Sequence, residues 1–193
     1  MTFGGVVEGD KDKAVCEELI PRICPETEQV LVRVAGDRPQ LMKKFPAWLK
    51  TLQHVTTTGG PVDKAFVVRD ADNKASNGIE SDMLQRIADR AYPFPRGVSV
   101  HAIRQEIDTW LLADINAINT VAAEVGHRPT KRSIPRPLEG IQQPSLLLQQ
   151  VLSSVGLNYT AAICRKIARH IDLGILRAEC PSFLEFEQKI IDP

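Results

Sequence analysis

Residues 64–72 read Lys-Ala-Phe-Val-Val-Arg-Asp-Ala-Asp. The run is too short for a helix, rich in apolar and β-branched residues, and closed by acidic turn formers, so residues 64–69 are expected to form a buried strand. On either side the same grammar repeats. Upstream, residues 3–7 form a short apolar run ended by Glu8-Gly9-Asp10. Cys16, Leu19, Ile20 and Ile23 then fall at i, i+3, i+4 and i+7, one face of a helix. Residues 29–35 (QVLVRVA) make a second strand closed by Gly36. Asp37 can cap a helix whose Leu41, Met42, Phe45, Trp48, Leu49 and Leu52 share a face, with a kink expected at Pro46. A Thr/Gly loop is expected over residues 56–61.

Downstream, Ile79, Met83, Leu84, Ile87 and Ala91 define a third helix, stopped by Tyr92-Pro93-Phe94-Pro95. Residues 98–103 give a fourth strand, and one helix is expected from about Thr109 to Val125. Strands alternating with helices imply right-handed crossovers. The fold class is therefore α/β, with a Rossmann-like, mainly parallel four-stranded sheet flanked by helices over residues 1–126. Residues 127–193 change character. A basic, Pro-rich loop carries Arg128, Lys131, Arg132 and Arg136, and helical patterns follow at residues 145–155, 160–173 and 182–191. This reads as a helical C-terminal extension packed on the core.

The 193 residues are 43% hydrophobic and 25% charged, enough to bury a core. With 24 basic and 24 acidic residues the net charge is zero, which disfavours a purely electrostatic nucleic-acid binder. No apolar run approaches a membrane span, and the N-terminus lacks the basic region of a secretory signal. Cys16, Cys24, Cys164 and Cys180 show no metal or redox spacing and read as reduced thiols, consistent with a cytoplasmic setting. The histidines (54, 101, 127, 170) are scattered, so they are taken as structural or surface residues. No phosphate-loop pattern GxxxxGK[ST] occurs, so the chain is not itself an ATPase of that type.

The chemistry lies in the carboxylates that follow the strands. Glu8 follows the first, Asp70 and Asp72 the third, and Glu106 and Asp108 the fourth. Parallel strands open their C-terminal ends on one edge, where ligands bind. Clustered carboxylates repel unless protons or a cation intervene, and oxygen donors without His or Cys favour Mg²⁺ or Mn²⁺. An acidic pair after a strand is by itself a common turn or cap; its repetition after successive strands is what points to a metal. Asp114 falls on the inward side of its helix, where an Arg or Lys partner is the plain expectation. Trp48 and Trp110 sit on apolar helical faces and read as core. Arg165, Lys166, Arg169 and His170 form a basic helical ridge, mild support for an anionic partner.

Val6-Val7-Glu8-Gly9-Asp10-Lys11-Asp12, Gly36 after the second strand, and Val67-Val68-Arg69-Asp70-Ala71-Asp72 together resemble the Toprim domain of topoisomerases, DnaG-type primases and OLD-family nucleases. The stretch Glu106-Ile107-Asp108-Thr109-Trp110-Leu111-Leu112-Ala113-Asp114, with Cys180-Pro181-Ser182-Phe183, is similar to the small RloB-like Toprim proteins encoded beside ATPases in bacterial defence islands. The resemblance implies that Glu8, Asp70 and Asp72 are catalytic and bind Mg²⁺ (or Mn²⁺). It also implies Asp12 as a further metal ligand, Glu106 as a secondary one, and Lys166 as the charge-stabilising lysine. Glu80 stands in for later acidic positions that the sequence lacks.

The resulting expectation is a Mg²⁺-dependent nucleic-acid phosphodiesterase acting on DNA or RNA, a subunit working with a separate ATPase in anti-phage or mobile-element defence. No membrane association is expected, and a homo-oligomer stays open. The alternative is a non-catalytic or weakly active metal-binding regulatory subunit that docks on an ATPase through its last third. Phosphotransfer on a small nucleotide is a third reading.

Overall fold

The computed structural model describes all residues except Gly59, Asn73 and Pro193. Its core is a four-stranded, all-parallel sheet in the order β2-β1-β5-β6. The strands are β1 (Thr2–Val7), β2 (Gln29–Val34), β5 (Lys64–Asp70) and β6 (Val98–Ile103). Thr56–Thr57 (β3) and Gly60–Pro61 (β4) pair as a short antiparallel ribbon where only a loop was expected. Alternation along the strands feeds two cores. Phe66 and Val68 join Phe3 and Val7 on one face, while Ala65 and Val67 join Val6 on the other. In the centre of the sheet Gly5 faces Phe66, and a Cβ on Gly5 would stand 2.1 Å from the Phe66 ring. Glycine is thus fixed by close approach of an aromatic ring.

Helices α2 (Arg38–Leu52) and α3 (Ser76–Gln85) cover one face. Asp37 caps α2 by accepting the Gln40 amide at 3.0 Å. The helix runs on through Pro46 as a single element, and the Pro46 carbonyl accepts Tyr92 Oη at 3.1 Å. α3 ends at Gln85, short of the stretch its periodicity suggested, and leaves Leu84 49% exposed. The turns after it are closed by bonds such as Arg90 N to Ile87 O, so Ile87 is buried without a helix to carry it.

The opposite face is covered by α1 (Asp10–Ile23) and the helices of the C-terminal half. These are α4 (Asp108–Leu111), α5 (Ile115–Glu124), α6 (Pro144–Ser154), α7 (Ala161–His170), α8 (Leu173–Glu179) and α9 (Pro181–Ile191). The single helix expected between Thr109 and Val125 is two. Asp114 breaks it by adopting an extended backbone and capping α5 through the Asn116 amide at 2.9 Å. Its other oxygen accepts the Asp172 amide at 3.1 Å, so the partner of Asp114 is main chain in place of the expected Arg or Lys. The helical pattern expected over residues 160–173 ends at His170, and α8 occupies a stretch for which no element was predicted.

The tryptophan-bearing segment is a packing device. Trp110 is fully buried, meets Phe183 edge-on and Phe186 at a tilt, each at 5.3 Å between centroids, and donates its indole N–H to Ser182 Oγ at 3.1 Å. On the β6 side Lys189 donates to Glu80 at 2.6 Å and to the Val100 carbonyl at 3.1 Å. These contacts tie α9 to both α3 and the sheet edge.

Candidate metal and phosphate site

The parallel register brings Glu8, Gly36, Asp70 and Glu106 to the same edge of the sheet. Val7 pairs with Val34, and Asp70 with Ile103. Here β1 passes into α1, whose N-terminus Asp12 closes by accepting the Gly9 amide at 2.8 Å. Glu8 accepts the Asp70 amide at 3.1 Å, and Asp70 accepts the Ile107 amide at 3.2 Å. The three strand-end segments are therefore stitched together by carboxylates bonded to main chain. Gly36, at φ +103°, donates its amide to the Glu8 carbonyl at 3.0 Å, a turn that L side chains adopt only with strain.

An open cleft of 690 Å³ runs along this edge, with Glu8, Asp12, Asp108, Lys11 and Tyr159 among its lining residues. Tyr159 Oη donates to Asp108 Oδ1 at 2.7 Å, and Lys11 Nζ lies 3.5 Å from the Tyr159 ring centroid. Arg38 reaches Glu8 at 3.6 Å and makes a close ion pair with Asp72, which has a left-handed backbone at φ 46°. Asp tolerates that conformation better than most residues.

Electrostatically the edge is a surplus of negative charge. Burial, and then the charges of Asp12, Glu8, Asp108 and Glu106, push Asp70 well above the usual carboxylate range. Burial, opposed by the Gly9 amide and reinforced by Glu8, pushes Asp12 up to about 6. Burial pushes Asp108 up to about 7 despite the Tyr159 hydrogen bond, with Asp12 and Glu106 adding to it. Glu8 is raised by burial against the opposing pull of the Asp70 amide and Arg38.

The sequence-derived residues divide accordingly. Glu8, Asp12, Asp70 and Glu106 share this edge, although Glu106 turns one oxygen to the Ser145 amide at 2.9 Å, at the start of α6. Asp108, ranked behind Glu106 in the sequence, is the more buried and lines the cleft. Asp72 is engaged by Arg38. Among the described residues, no three His, Cys, Asp or Glu side chains are already gathered as a metal-holding group. Lys166 pairs with Glu124 at 3.0 Å, at the far end of α5. Glu80 is held by the Lys189 ammonium and the Ala102 amide on the α3 side of the sheet, near His101. Those partners overcome the effect of burial and lower it to about 2, so it is a structural ion-pair residue and no stand-in for a second metal site.

The basic ridge of α7 is likewise internal to the fold. Arg165 pairs with Glu17, and Arg169 with Glu18 at 3.0 Å, both on α1. Lys11, Arg38 and Tyr159 were not singled out from the sequence. Tyr159 comes from residues remote in the chain, and nothing in its local pattern announces it. A second cavity of 330 Å³ lies beyond the turn after β5, lined by Lys74, Arg104 and Glu139 among others. There Glu139 accepts the Ser182 amide at 2.8 Å and lies 3.6 Å from Arg104. That cavity lacks the surplus of charge that marks the cleft.

The profile of the family described as "Domain of unknown function (DUF4276)" matches residues 7–191, from the end of β1 to the end of α9. The chain belongs to the DUF4276 family. No curated protein matches this DUF4276 chain. Among solved structures, the C-terminal region of the Burkholderia pseudomallei OLD protein is similar at 15% identity, covering 96% of each chain with a TM-score of 0.42. None of the described helices is long and apolar enough to cross a membrane.

Proposed function

We propose that this DUF4276 chain is a Mg²⁺-dependent phosphodiesterase acting on nucleic acid, with Glu8, Asp12 and Asp70 as the principal metal ligands and Glu106 and Asp72 as secondary ones. The observation that carries the reading is the accumulation of carboxylates at one sheet edge, with proton affinities raised at Glu8, Asp12, Asp70 and Asp108. Burial is the main cause of each rise, with neighbouring carboxylates adding to it at Asp12, Asp70 and Asp108, and acids buried together at one edge are relieved by a cation. The donors are oxygens, which suits Mg²⁺ or Mn²⁺. A bound ion of this kind would supply an activated water and neutralise charge on the leaving oxygen. The chain's own contribution is orientation. The Asp70 amide fixes Glu8, and the Ile107 amide fixes Asp70. Arg38 restrains Asp72 beside them.

The Toprim likeness of the Glu8-Gly9 and Asp70-Ala71-Asp72 segments favours DNA or RNA as the polymer and a separate ATPase as partner. Docking through the last third has to coexist with that segment's other duties. Tyr159 lines the cleft, and α7 packs on α1 within one hydrophobic cluster. Deleting residues 145–193 would therefore damage the site together with any docking surface.

The test is incubation of the full chain with labelled single- and double-stranded DNA and RNA in Mg²⁺, Mn²⁺ or chelator, beside Asp70→Asn. Cleavage that needs metal and disappears in the folded variant supports the reading. Absence of cleavage by the wild-type chain in every metal and on every substrate, with metal binding intact, would favour the regulatory-subunit alternative.

A further inference from the structure

We propose that Lys11 is the cation that receives a substrate phosphate in this cleft, and that Tyr159 is the positioning residue that holds it there. The inference rests on the phosphodiesterase reading of the same site.

The argument starts from charge. A phosphodiester approaching this edge meets Glu8, Asp12 and Asp108 on the cleft wall. Lys11 is the one basic residue among the described residues that line it. Three nearby cations are tied to acids of the fold, and Arg69, on β5, does not line the cleft. Lys13 lies 3.8 Å from Glu17, Arg38 pairs with Glu8 and Asp72, and Lys166 with Glu124. Among the described residues Lys11 makes no ion pair. Its ammonium rests on the face of Tyr159, 3.5 Å from the centroid. A cation–π contact attracts the ammonium without neutralising it and leaves N–H donors available for an anion.

The second part is positional. Tyr159 is itself clamped, because its hydroxyl donates to Asp108 at 2.7 Å. The ring that carries Lys11 is thereby fixed to the segment following β6, while Lys11 belongs to the first turn of α1. One tyrosine from the loop before α7 thus registers a lysine from the first third of the chain against a carboxylate from the second. A lysine serving only to balance Asp12 or Asp108 would be expected to pair with one of them. Its charge is felt by both Asp12 and Asp108, but among the described residues it forms no salt bridge with either and rests on the aromatic face instead. Lys166, the charge-stabilising lysine that the resemblance implied, is paired with Glu124 and does not line the cleft, so the phosphate contact falls to Lys11.

The test uses the full chain and a 5′-labelled twelve-residue oligothymidylate, with binding read by fluorescence anisotropy in Ca²⁺ across a salt series. Lys11→Met should weaken binding about tenfold and reduce the salt dependence by roughly one phosphate contact. Tyr159→Phe keeps the ring but loses the Asp108 clamp and should weaken binding about threefold, whereas Tyr159→Leu, which removes the ring as well, should weaken it about tenfold, as Lys11→Met does. Lys13→Met, two residues away, should bind as wild type. Thermal melts check that each variant is folded. Wild-type binding by Lys11→Met, an equal loss in Lys13→Met, or failure of the wild-type chain to bind the oligonucleotide would each overturn the proposal. Cleavage in Mg²⁺ is measured separately. Binding that depends on Lys11 without cleavage would refute the phosphodiesterase reading alone, and cleavage with an unchanged KM in Lys11→Met would refute the Lys11 assignment alone.

Discussion

Asp108→Asn should stabilise the metal-free protein, and by an amount that depends on pH in a calculable way. Asp108 is 6% exposed and its proton affinity is raised from the usual 3.8 to about 7, with burial the main cause. Three pH units at about 1.4 kcal/mol each make the ionised form about 4 kcal/mol less favourable in the fold than in the unfolded chain. A group raised in this way contributes its stability fully below the unfolded value of 3.8 and loses it as pH rises through 7. At pH 8, in chelator, the wild-type chain therefore carries the whole penalty. Asparagine carries none, and its amide oxygen can still accept the Tyr159 hydroxyl. Asp108→Asn should gain up to about 4 kcal/mol at pH 8, and that advantage should shrink by about 3 kcal/mol by pH 5, once the native carboxyl has bound its proton. Urea unfolding at both pH values, with m unchanged between variants, measures it. The comparison between variants cancels groups that do not sense Asp108; Asp12, raised to about 6 and acting on Asp108 by its charge, does not cancel, and the relief of that repulsion in Asp108→Asn contributes to the gain at pH 8. Destabilisation by Asp108→Asn at pH 8, or a difference between variants that is flat from pH 5 to pH 8, would refute the reasoning.

Mg²⁺ should raise the wild-type unfolding free energy at pH 8 by about 2.7 kcal/mol when present at 100 times its dissociation constant, and should do much less at pH 5 or in Glu8→Gln/Asp70→Asn; calorimetric titration with thermal melts reads this directly. Gly5→Ala places a methyl 2.1 Å from a Phe66 ring that packs edge-on against Phe186, so a loss of about 3 kcal/mol is expected, partly recovered by adding Phe66→Leu. A fully tolerated alanine in chemical denaturation would mean that the ring can move. Lys189→Met removes both the Glu80 and Val100 bonds and should cost about 1–3 kcal/mol, with faster amide exchange in α9 and the adjoining β6. Unchanged exchange in both elements would show that apolar packing alone docks α9.

Much of the α/β framework was legible in the chain itself, because strand and helix periodicities differ and buried runs end in Gly, Asp or Pro. The four core strands lie within a residue or so of where the pattern of β-branched and apolar residues put them. Since parallel strands share a C-terminal edge, Glu8, Asp70, Asp72 and Glu106 could be placed together before any coordinates, while Asp12 entered through the family resemblance. Local patterns failed where a tertiary partner set the outcome. Asp114 ends one helix and starts another because its carboxylate takes main-chain amides, including that of Asp172 from far along the chain. Arg165 and Arg169 look like a free basic stripe until α7 is laid on α1, where Glu17 and Glu18 neutralise them. Lys166 is drawn to Glu124 for the same reason. The sequence by itself determined which carboxylates follow which strands, since that depends on order along one chain. Only the tertiary structure decided which cation faces them, because the Tyr159 ring that holds Lys11 arrives from about 150 residues away, and no local period encodes such a meeting.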